Sequence, residues 1–234
     1  MSAPHDFYSA YVLHSRPYRD TSLIADLLVD NGARLAAVVK GGRTSRKNPT
    51  TRCPLFTRLE VNLRGKSELK TATQIDPLEG AVNLQGQRLL AGMYLNELLC
   101  KVLSDQSDHP GLYEQYSLAI QQLALVEDVE PPLREFELAL LQLLGYGIDL
   151  RNCAAGLPIN ANTDYYFCPG HGLALQPQVQ STGPLLGQHI LDFGSAVFNT
   201  ESRKVGKQIC RKAVQHLLGG RQLNSRRLFT SMQT

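Results

Sequence analysis

The sequence lacks an apolar run long enough to cross a membrane, which takes about 18 to 20 residues. The longest stretch free of Asp, Glu, Lys and Arg is Tyr165–Leu191, which contains three prolines and four glycines. The first ten residues include His5 and Asp6 and lack the apolar segment of an export signal. The five cysteines are odd in number and have no short pairing, which favours reduced thiols. We therefore expect a cytoplasmic protein that does not act at a membrane.

Catalytic motifs are missing as well. The sequence has no H-E-x-x-H, no G-x-S-x-G and no tight group of carboxylates that would hold Mg²⁺ in a nuclease. The glycine-containing segment Val38–Ser45 follows a predicted strand, but it lacks the spacing of a phosphate-binding loop, and no helix follows before Pro49. We therefore expect a protein that is not an enzyme.

Basic residues are scarce in the middle of the chain and acidic residues are scarce at its end, although the whole carries only +3. Residues 1–76 have a net charge of +5, residues 77–150 of −8, residues 151–180 of zero and residues 181–234 of +6. Such segregation gives each region its own local field. A polyanion is expected to bind the two ends of the sequence and to be repelled by the middle.

The first third of the sequence predicts β-strands. Asp30-Asn31-Gly32 is a strong hairpin signal between two of them. Five short strands with one long polar connection, residues 41–54, favour an OB-fold barrel; a five-stranded SH3-like barrel remains the alternative. The predicted strands are Phe7–His14, Leu23–Val29, Arg34–Val39, Leu55–Leu63 and Glu68–Ile75.

Beyond Asp76-Pro77 the apolar pattern becomes helical. The fold class is therefore predicted to be α+β: an OB-fold domain at 1–78, an α-helical domain at 79–150 and 181–234, and an irregular insertion at 151–180. The predicted helices are Gln87–Leu103, Gly111–Val126, Leu133–Leu144, Gly187–Phe193 and Glu201–Leu218.

The insertion raises the question of a zinc site. Cys168 and His171 have the spacing of a zinc knuckle, and Cys153 could add a third ligand. A structural zinc needs four ligands, and the residue that would complete a first knuckle with Cys153 is Gly156. The residues therefore favour a loop domain without a metal, packed by Tyr165, Tyr166 and Phe167, with zinc as the alternative.

The most informative feature is a basic window from Arg34 to Lys70, with a net charge of +8. Cations on the strands and loops of a small barrel are typical of a surface that follows a phosphate backbone. We therefore predict nucleic-acid binding by the barrel, with the basic end of the chain, Arg221 to Arg227, as a second contact. The predicted DNA-binding residues are Arg16, Arg34, Lys40, Arg43, Arg46, Lys47, Arg64 and Lys66.

The third predicted helix carries a second candidate site. Arg134, Leu138 and Leu141 form a stripe at i, i+4 and i+7, on a different face from the main apolar stripe. An arginine next to leucines can pair with a carboxylate while the leucines hold an aromatic ring, as in a peptide-binding pocket. Burial of both faces explains the same pattern equally well.

Several short motifs, in a fixed order, extend over essentially the whole chain. They are Tyr11–Tyr18, Thr21–Leu23, Val39–Arg43, Tyr94–Leu99, Arg134–Leu141, Leu144–Gly147, Leu218–Gly220 and Ser225–Phe229. Each is weak alone, but together they resemble the bacterial RecO family of DNA repair and recombination mediators. The resemblance implies an N-terminal OB-fold, a helical domain and a zinc-ribbon-like insertion.

The resemblance also implies a function and partners. These are binding of single- and double-stranded DNA, annealing of complementary strands, and loading of RecA together with RecR. It further implies that Arg134, Leu138 and Leu141 lie on the helix that binds the acidic C-terminal tail of single-stranded DNA-binding protein. Zinc-containing members carry two cysteine pairs, whereas this chain lacks the second pair after Gly172, which implies a metal-free insertion and no cofactor. An RNA-binding OB-fold module acting in translation or RNA metabolism is the alternative.

Overall fold

The structure of the protein is a computed structural model that describes residues 6–42, 53–80, 82–103 and 107–225. The chain forms two compact units. Unit 1 comprises residues 1–129 and 223–234, and unit 2 comprises residues 130–222.

Unit 1 contains a closed barrel of five strands. They are β1 (Asp6–Tyr18), β2 (Ser22–Val29), β3 (Arg34–Val39), β4 (Leu59–Arg64) and β5 (Leu69–Pro77). The strands follow the order β1-β2-β3-β5-β4, and β1 closes the barrel on β4. The β3–β5 pair is parallel and the other four pairs are antiparallel. This topology is that of an OB-fold, and it confirms the predicted fold class.

Alternation along the strands determines which side chains fill the barrel. On β2, for example, Ala25, Leu27 and Val29 are fully buried and point inward, so Ile24 and Asp26, which alternate with them, belong to the outer face. The barrel core consists of small and branched apolar side chains, which suit the narrow interior of a five-stranded barrel. Its members are Ala10, Val12, Ala25, Leu27, Val29, Ala33, Leu35, Ala37, Val39, Leu59, Val61, Leu63 and Ile75.

The predicted hairpin turn joins β2 to β3 and also holds a later part of the chain. Gly32 has φ +81°, and a Cβ at this position would overlap the carbonyl group of His109, so only glycine fits here. Asn31 donates through Nδ2 to Asp108 Oδ1 at 2.7 Å, and the His109 backbone N–H donates to Asn31 O at 3.1 Å. The turn thereby fixes the start of the second helix against the barrel.

Two helices, α1 (Gly86–Val102) and α2 (Leu112–Leu125), complete unit 1. Asn96 of α1 is 4% exposed and donates to Leu13 O at 2.9 Å, while the Tyr116 hydroxyl of α2 donates to Asn96 Oδ1 at 2.7 Å. Tyr11 of β1 packs against the rings of Tyr113 and Tyr116. The buried Asn96 side chain therefore has a hydrogen-bond partner for both its NH₂ group and its oxygen, and these two bonds fix β1, α1 and α2 relative to one another.

Unit 2 combines three helices with a small sheet. Its elements are α3 (Glu130–Leu143), β6 (Asp164–Cys168), β7 (Gly172–Ala174), β8 (Leu185–Leu186), α4 (Gly187–Gly194) and α5 (Thr200–Leu217). The sheet has the order β7-β6-β8. Its strands β6 and β7 lie in the segment 151–180, which was predicted to be irregular, and β8 follows that segment. Apolar side chains from α3, the sheet, α4 and α5 share one core.

The two units divide the chain differently from the predicted domain boundaries. The prediction joined residues 79–129 to the later helices, whereas these residues pack with the barrel, because α1 and α2 bury side chains such as Tyr116 and Leu95 within unit 1. Residues 223–225 also return to unit 1. The predicted insertion at 151–180 lies within unit 2.

The short segment after α5 is held by one carboxylate of α1. Glu97 accepts hydrogen bonds from the backbone N–H groups of Asn224 and Ser225, each at 2.8 Å, and from the Ser225 hydroxyl at 2.6 Å. Lys101 lies 3.1 Å from the same carboxylate. Although burial raises the pKa of Glu97, these hydrogen bonds outweigh it and lower that pKa to about 2.

None of the helices within the described residues is long and apolar enough to cross a membrane.

Candidate nucleic-acid interface

Strand register brings two of the predicted DNA-binding arginines into one row on the outer face of the barrel. Arg16 pairs with Ile24, Ile24 with Val38, Val38 with Thr71, and Thr71 with Arg64. Directly paired residues share a face of a sheet. Arg16 and Arg64 are both exposed at the two ends of this row.

Lys40 belongs to the same outer face. It comes two residues after Val38, directly beyond the last paired residue of β3, and it is exposed. Tyr18 lies at the corresponding end of β1, where it pairs with Ser22, and the Arg19 guanidinium lies 5.1 Å from its ring centroid. The outer face therefore combines cations with an accessible aromatic ring, the two groups that bind single strands of nucleic acid.

Lys66 follows Arg64 in the turn between β4 and β5, and it is exposed. We define the basic rim as Arg16, Lys40, Arg64 and Lys66. Within the part of the chain that the structure describes, Arg16, Lys40 and Lys66 have no ion pair or hydrogen bond from their charged groups. The charges of these three residues are therefore available to an external anion, and phosphate is the anion that such a row of cations fits.

Acidic groups share this outer face as well: Glu60 and Asp76, which pair with each other across β4 and β5, and Asp26. Asp26 lies in the neighbouring row, where it pairs with His14 across β1 and β2, with Nδ1 3.8 Å from Oδ2. The Asp26 side chain is 14% exposed, against 58% for His14. The Asp26 carboxylate is therefore largely shielded from solvent, and His14 is the more exposed member of the pair.

Arg34 has a different environment from the basic rim, although it was predicted with it. Its Nη1 donates to Cys100 O in the last turn of α1, where the carbonyl groups of a helix lack intrahelical partners. Arg34 therefore joins β3 to the C-terminus of α1. Three further predicted residues, Arg43, Arg46 and Lys47, lie outside the described residues.

The predicted peptide pocket is not an open surface in this structure. Arg134 Nη1 lies 2.7 Å from Glu137 Oε2, with side chains that are 12% and 1% exposed. Leu141 is 1% exposed, and Leu138 packs partly buried against the core of unit 2. Glu137 is the feature that the sequence analysis missed: its i, i+3 spacing from Arg134 on an amphipathic helix is the signal that could have found it.

Comparison with known proteins agrees with this architecture. The family model for the N-terminal domain of recombination protein O matches residues 7–81, and the model for its C-terminal domain matches residues 84–227. The chain belongs to the RecO family. The resemblance found in the sequence motifs is thereby confirmed.

Relatives with the name DNA repair protein RecO match over nearly the full chain. The protein from Cellvibrio japonicus is 41% identical over 229 residues, which cover 96% of this chain and 97% of that protein. The protein from Stutzerimonas stutzeri is 41% identical over 226 residues, covering 96% and 93%. The protein from Haemophilus influenzae is 36% identical over 222 residues, covering 94% of each. RecO is thus a family of DNA repair proteins.

In this RecO chain the insertion forms one wall of a cleft in unit 2. The cleft has a volume of about 330 Å³, and Leu141 and Phe167 contribute to its lining together with Tyr146 and His216, whose rings meet edge to face. Cys168 Sγ lies 3.9 Å from His171 Nδ1 at its edge. Among the described residues, no three His, Cys, Asp or Glu side chains come together as a metal site.

The cysteines of unit 1 are shielded thiols. Burial raises the pKa of Cys53 to about 11. Burial, reinforced by Asp26, raises the pKa of Cys100 to about 12. Both groups are therefore protonated at neutral pH, and a thiol in this form is a weak nucleophile.

Proposed function

We propose that this RecO-family chain is a DNA repair and recombination mediator that binds single- and double-stranded DNA and anneals complementary strands. The observation that carries the proposal is the basic rim: Arg16, Lys40 and Lys66 are exposed on an OB-fold and have no acidic partner among the described residues. In a DNA repair family, the polyanion that such a surface would bind is a polynucleotide.

Annealing by this route needs no covalent step. Cations of the basic rim replace the counterions of the phosphate backbone, and the released ions favour binding. With its phosphates partly neutralised, a strand repels its complement less, so that base pairs form faster. The proposed activity therefore requires neither nucleotide hydrolysis nor a metal, and we propose a protein that is not an enzyme.

The proposed partners are single-stranded DNA-binding protein, through its acidic tail, and RecR, with which this chain would load RecA onto coated strands in the cytoplasm. For the tail we retain Arg134, Leu138 and Leu141 as the proposed contacts. Because Glu137 lies 2.7 Å from Arg134, a tail carboxylate has to share the guanidinium with Glu137 or displace it.

The salt dependence of binding tests the proposed contact with DNA. Each phosphate neutralised on a single strand contributes about −0.7 to the slope of log affinity against log salt. The wild type should show a slope of about −2 or steeper from the basic rim alone. A slope near zero, or annealing that needs ATP, would overturn the proposal.

Competition between DNA and RNA distinguishes the main alternative. Single-stranded DNA and RNA of equal length and sequence are mixed with the protein at one salt concentration. A clear preference for RNA would favour the RNA-binding module, since a protein can distinguish the two through the 2′-hydroxyl group.

The tail contact requires a variant that does not leave Glu137 unpaired. Removing Arg134 alone would bury an uncompensated carboxylate and destabilise unit 2. The double variant Arg134→Gln with Glu137→Gln removes both charges together, so that neither side chain is left as an uncompensated buried charge. It should bind an acidic, Phe-terminated peptide about 10-fold more weakly, since a charged hydrogen bond is worth about 1.5 kcal/mol. Unchanged affinity would reject the pocket.

A further inference from the structure

Helix α5 of unit 2 has two contrasting sides. Asn199 caps its first turn, accepting from the backbone N–H groups of Glu201 and Ser202, so the helix starts at a defined residue. One side is packed into the core of unit 2 and contributes Val205, Ile209, Cys210, Ala213 and Val214. The opposite side faces solvent along the full length of the helix.

The solvent side carries a row of cations. Lys204, Lys207 and Arg211 are exposed and recur at i, i+3 and i+7, which places them one above the other on a single helix face. We call these three residues the α5 stripe. Gln208 and Gln215 are exposed beside them, so the helix surface around the stripe is polar.

The charges of the α5 stripe are only partly compensated. Lys204 Nζ lies 2.7 Å from Glu201 Oε1, an exposed pair at i, i+3 that contributes little to stability. No partner among the described residues meets the charged groups of Lys207 and Arg211. Lys212, half-buried at the other edge of the exposed side, adds a further cation.

This surface fits a phosphate backbone better than a peptide. From Lys204 to Arg211 the helix rises about 10 Å, at about 1.5 Å per residue, which presents cations to more than one phosphate of a strand. Recognition of a peptide relies on a pocket for an apolar or aromatic anchor. The α5 stripe offers charge without such a pocket, and charge alone is sufficient for sequence-independent binding to nucleic acid.

We propose that the α5 stripe binds the second DNA strand during annealing, while the basic rim of unit 1 binds the first. This inference rests on the proposed annealing function and gives it a second site. Annealing needs two strands to be neutralised at once, and each of the two compact units carries exposed cations for this purpose: Arg16, Lys40 and Lys66 on unit 1, and Lys207 and Arg211 on unit 2.

A two-strand capture experiment tests this assignment. The full-length protein is mixed with one equivalent of unlabelled oligothymidylate, fluorescent oligocytidylate is added, and capture of this second, non-complementary strand is followed by anisotropy. The variant Lys207→Gln with Arg211→Gln should capture the second strand about 10-fold more weakly and anneal complementary strands more slowly. Its affinity for the first strand should stay within about 2-fold of wild type.

Two control variants separate charge from helix surface. Gln208→Ala with Gln215→Ala changes the same side of α5 without changing its charge, and it should behave as wild type. Lys207→Arg with Arg211→Lys exchanges the two cations without changing the charge, and it should capture the second strand as well as the wild type does. Circular dichroism and urea unfolding of each variant show whether unit 2 remains folded.

Four results would overturn the inference. Second-strand capture at the wild-type level by Lys207→Gln with Arg211→Gln removes the site, and loss of first-strand binding in that variant would make α5 the primary site instead. Titration of wild type and this variant with fluorescent polyglutamate tests for an acidic protein partner, and loss of polyglutamate binding in the variant with intact strand capture would assign the α5 stripe to such a partner. If the wild type binds no first strand, the proposed function itself fails.

Discussion

Two rows of the same barrel face use arginine in opposite ways. In the row Tyr11–Leu28–Arg34 the guanidinium donates to a carbonyl group at the end of α1. Two rows further along β1, Arg16 is exposed and has no partner among the described residues. The difference follows from where α1 packs: a cation under the helix terminus becomes part of the fold, and a cation beyond it remains available to a ligand.

This comparison shows that net charge by itself does not locate a binding surface. The basic window predicted Arg34 and Lys40 as equivalent, yet only Lys40 keeps its charge exposed beyond the end of β3. The basic rim, Arg34 and Glu97 can be altered in separate variants, and DNA affinity and stability can be measured independently.

The largest expected effect comes from removing the basic rim. The triple variant Arg16→Gln, Lys40→Gln and Lys66→Gln should bind single-stranded DNA about 100-fold more weakly, at about 1 kcal/mol for each of three phosphate contacts. The slope of log affinity against log salt should become less steep by about 2. Fluorescence titration at several salt concentrations measures both quantities.

The triple variant should leave folding unchanged, because these side chains lack partners among the described residues. Its free energy of unfolding in urea should lie within about 0.5 kcal/mol of wild type. A loss of stability equal to the loss of affinity would show that the basic rim is structural and would erase the contrast with Arg34.

A smaller effect is expected in the other row. Arg34→Gln removes a charged hydrogen bond to Cys100 O and should lower the free energy of unfolding by about 2 kcal/mol. Urea unfolding compares this variant with Arg16→Gln, the matched control on the same face, which should be neutral. Equal stability of the two variants would contradict the assignment of Arg34 to the fold.

The smallest effect concerns the carboxylate that holds residues 224 and 225. Its pKa in the folded state is about 2, below the ordinary value of 4.5. The ionised form is therefore the one that stabilises unit 1, and this contribution is complete above pH 4.5 and is lost as the pH falls toward 2. Glu97→Gln should lower the free energy of unfolding by about 1 kcal/mol at neutral pH, a value reduced for solvent screening.

Unfolding of Glu97→Gln and wild type is measured across the acid range. The difference between them should shrink as the pH falls from about 4.5 toward 2, because the Glu97 carboxylate is protonated over that range while the Gln side chain stays neutral throughout. Glu114→Gln, an exposed position on α2, is the control and should show no such trend. A difference that is constant with pH would mean that the charge of Glu97 does not hold the segment.

Much of the barrel was predictable because its signals are local. Alternation on Leu59, Val61 and Leu63 and the turn at Asn31-Gly32 depend on neighbouring residues only, and they correctly predicted strands and hairpin. The sequence predicted that β4 starts at Leu55, but in the structure it starts at Leu59, because Leu55 to Arg58 precede the regular pairing with β5.

The candidate sites were predicted less completely because they depend on distant contacts. Nothing near Arg34 in the sequence indicates Cys100, which lies 66 positions away. The hydrogen bonds between Ser225 and Glu97 span 128 positions. In contrast, the α5 stripe has a local signal, cations opposite an apolar helix face, which the sequence analysis passed over in favour of the basic end of the chain.

The carboxylate of Glu97 also has a consequence for synthesis on the ribosome. Unit 1 begins with the first strand made, but its α1 surface is covered by residues 223–225, which leave the ribosome only after all of unit 2. Since domains generally fold as they emerge, the barrel should form early yet acquire its final stability last. Nascent chains that stop before residue 223 should show a folded but protease-sensitive α1.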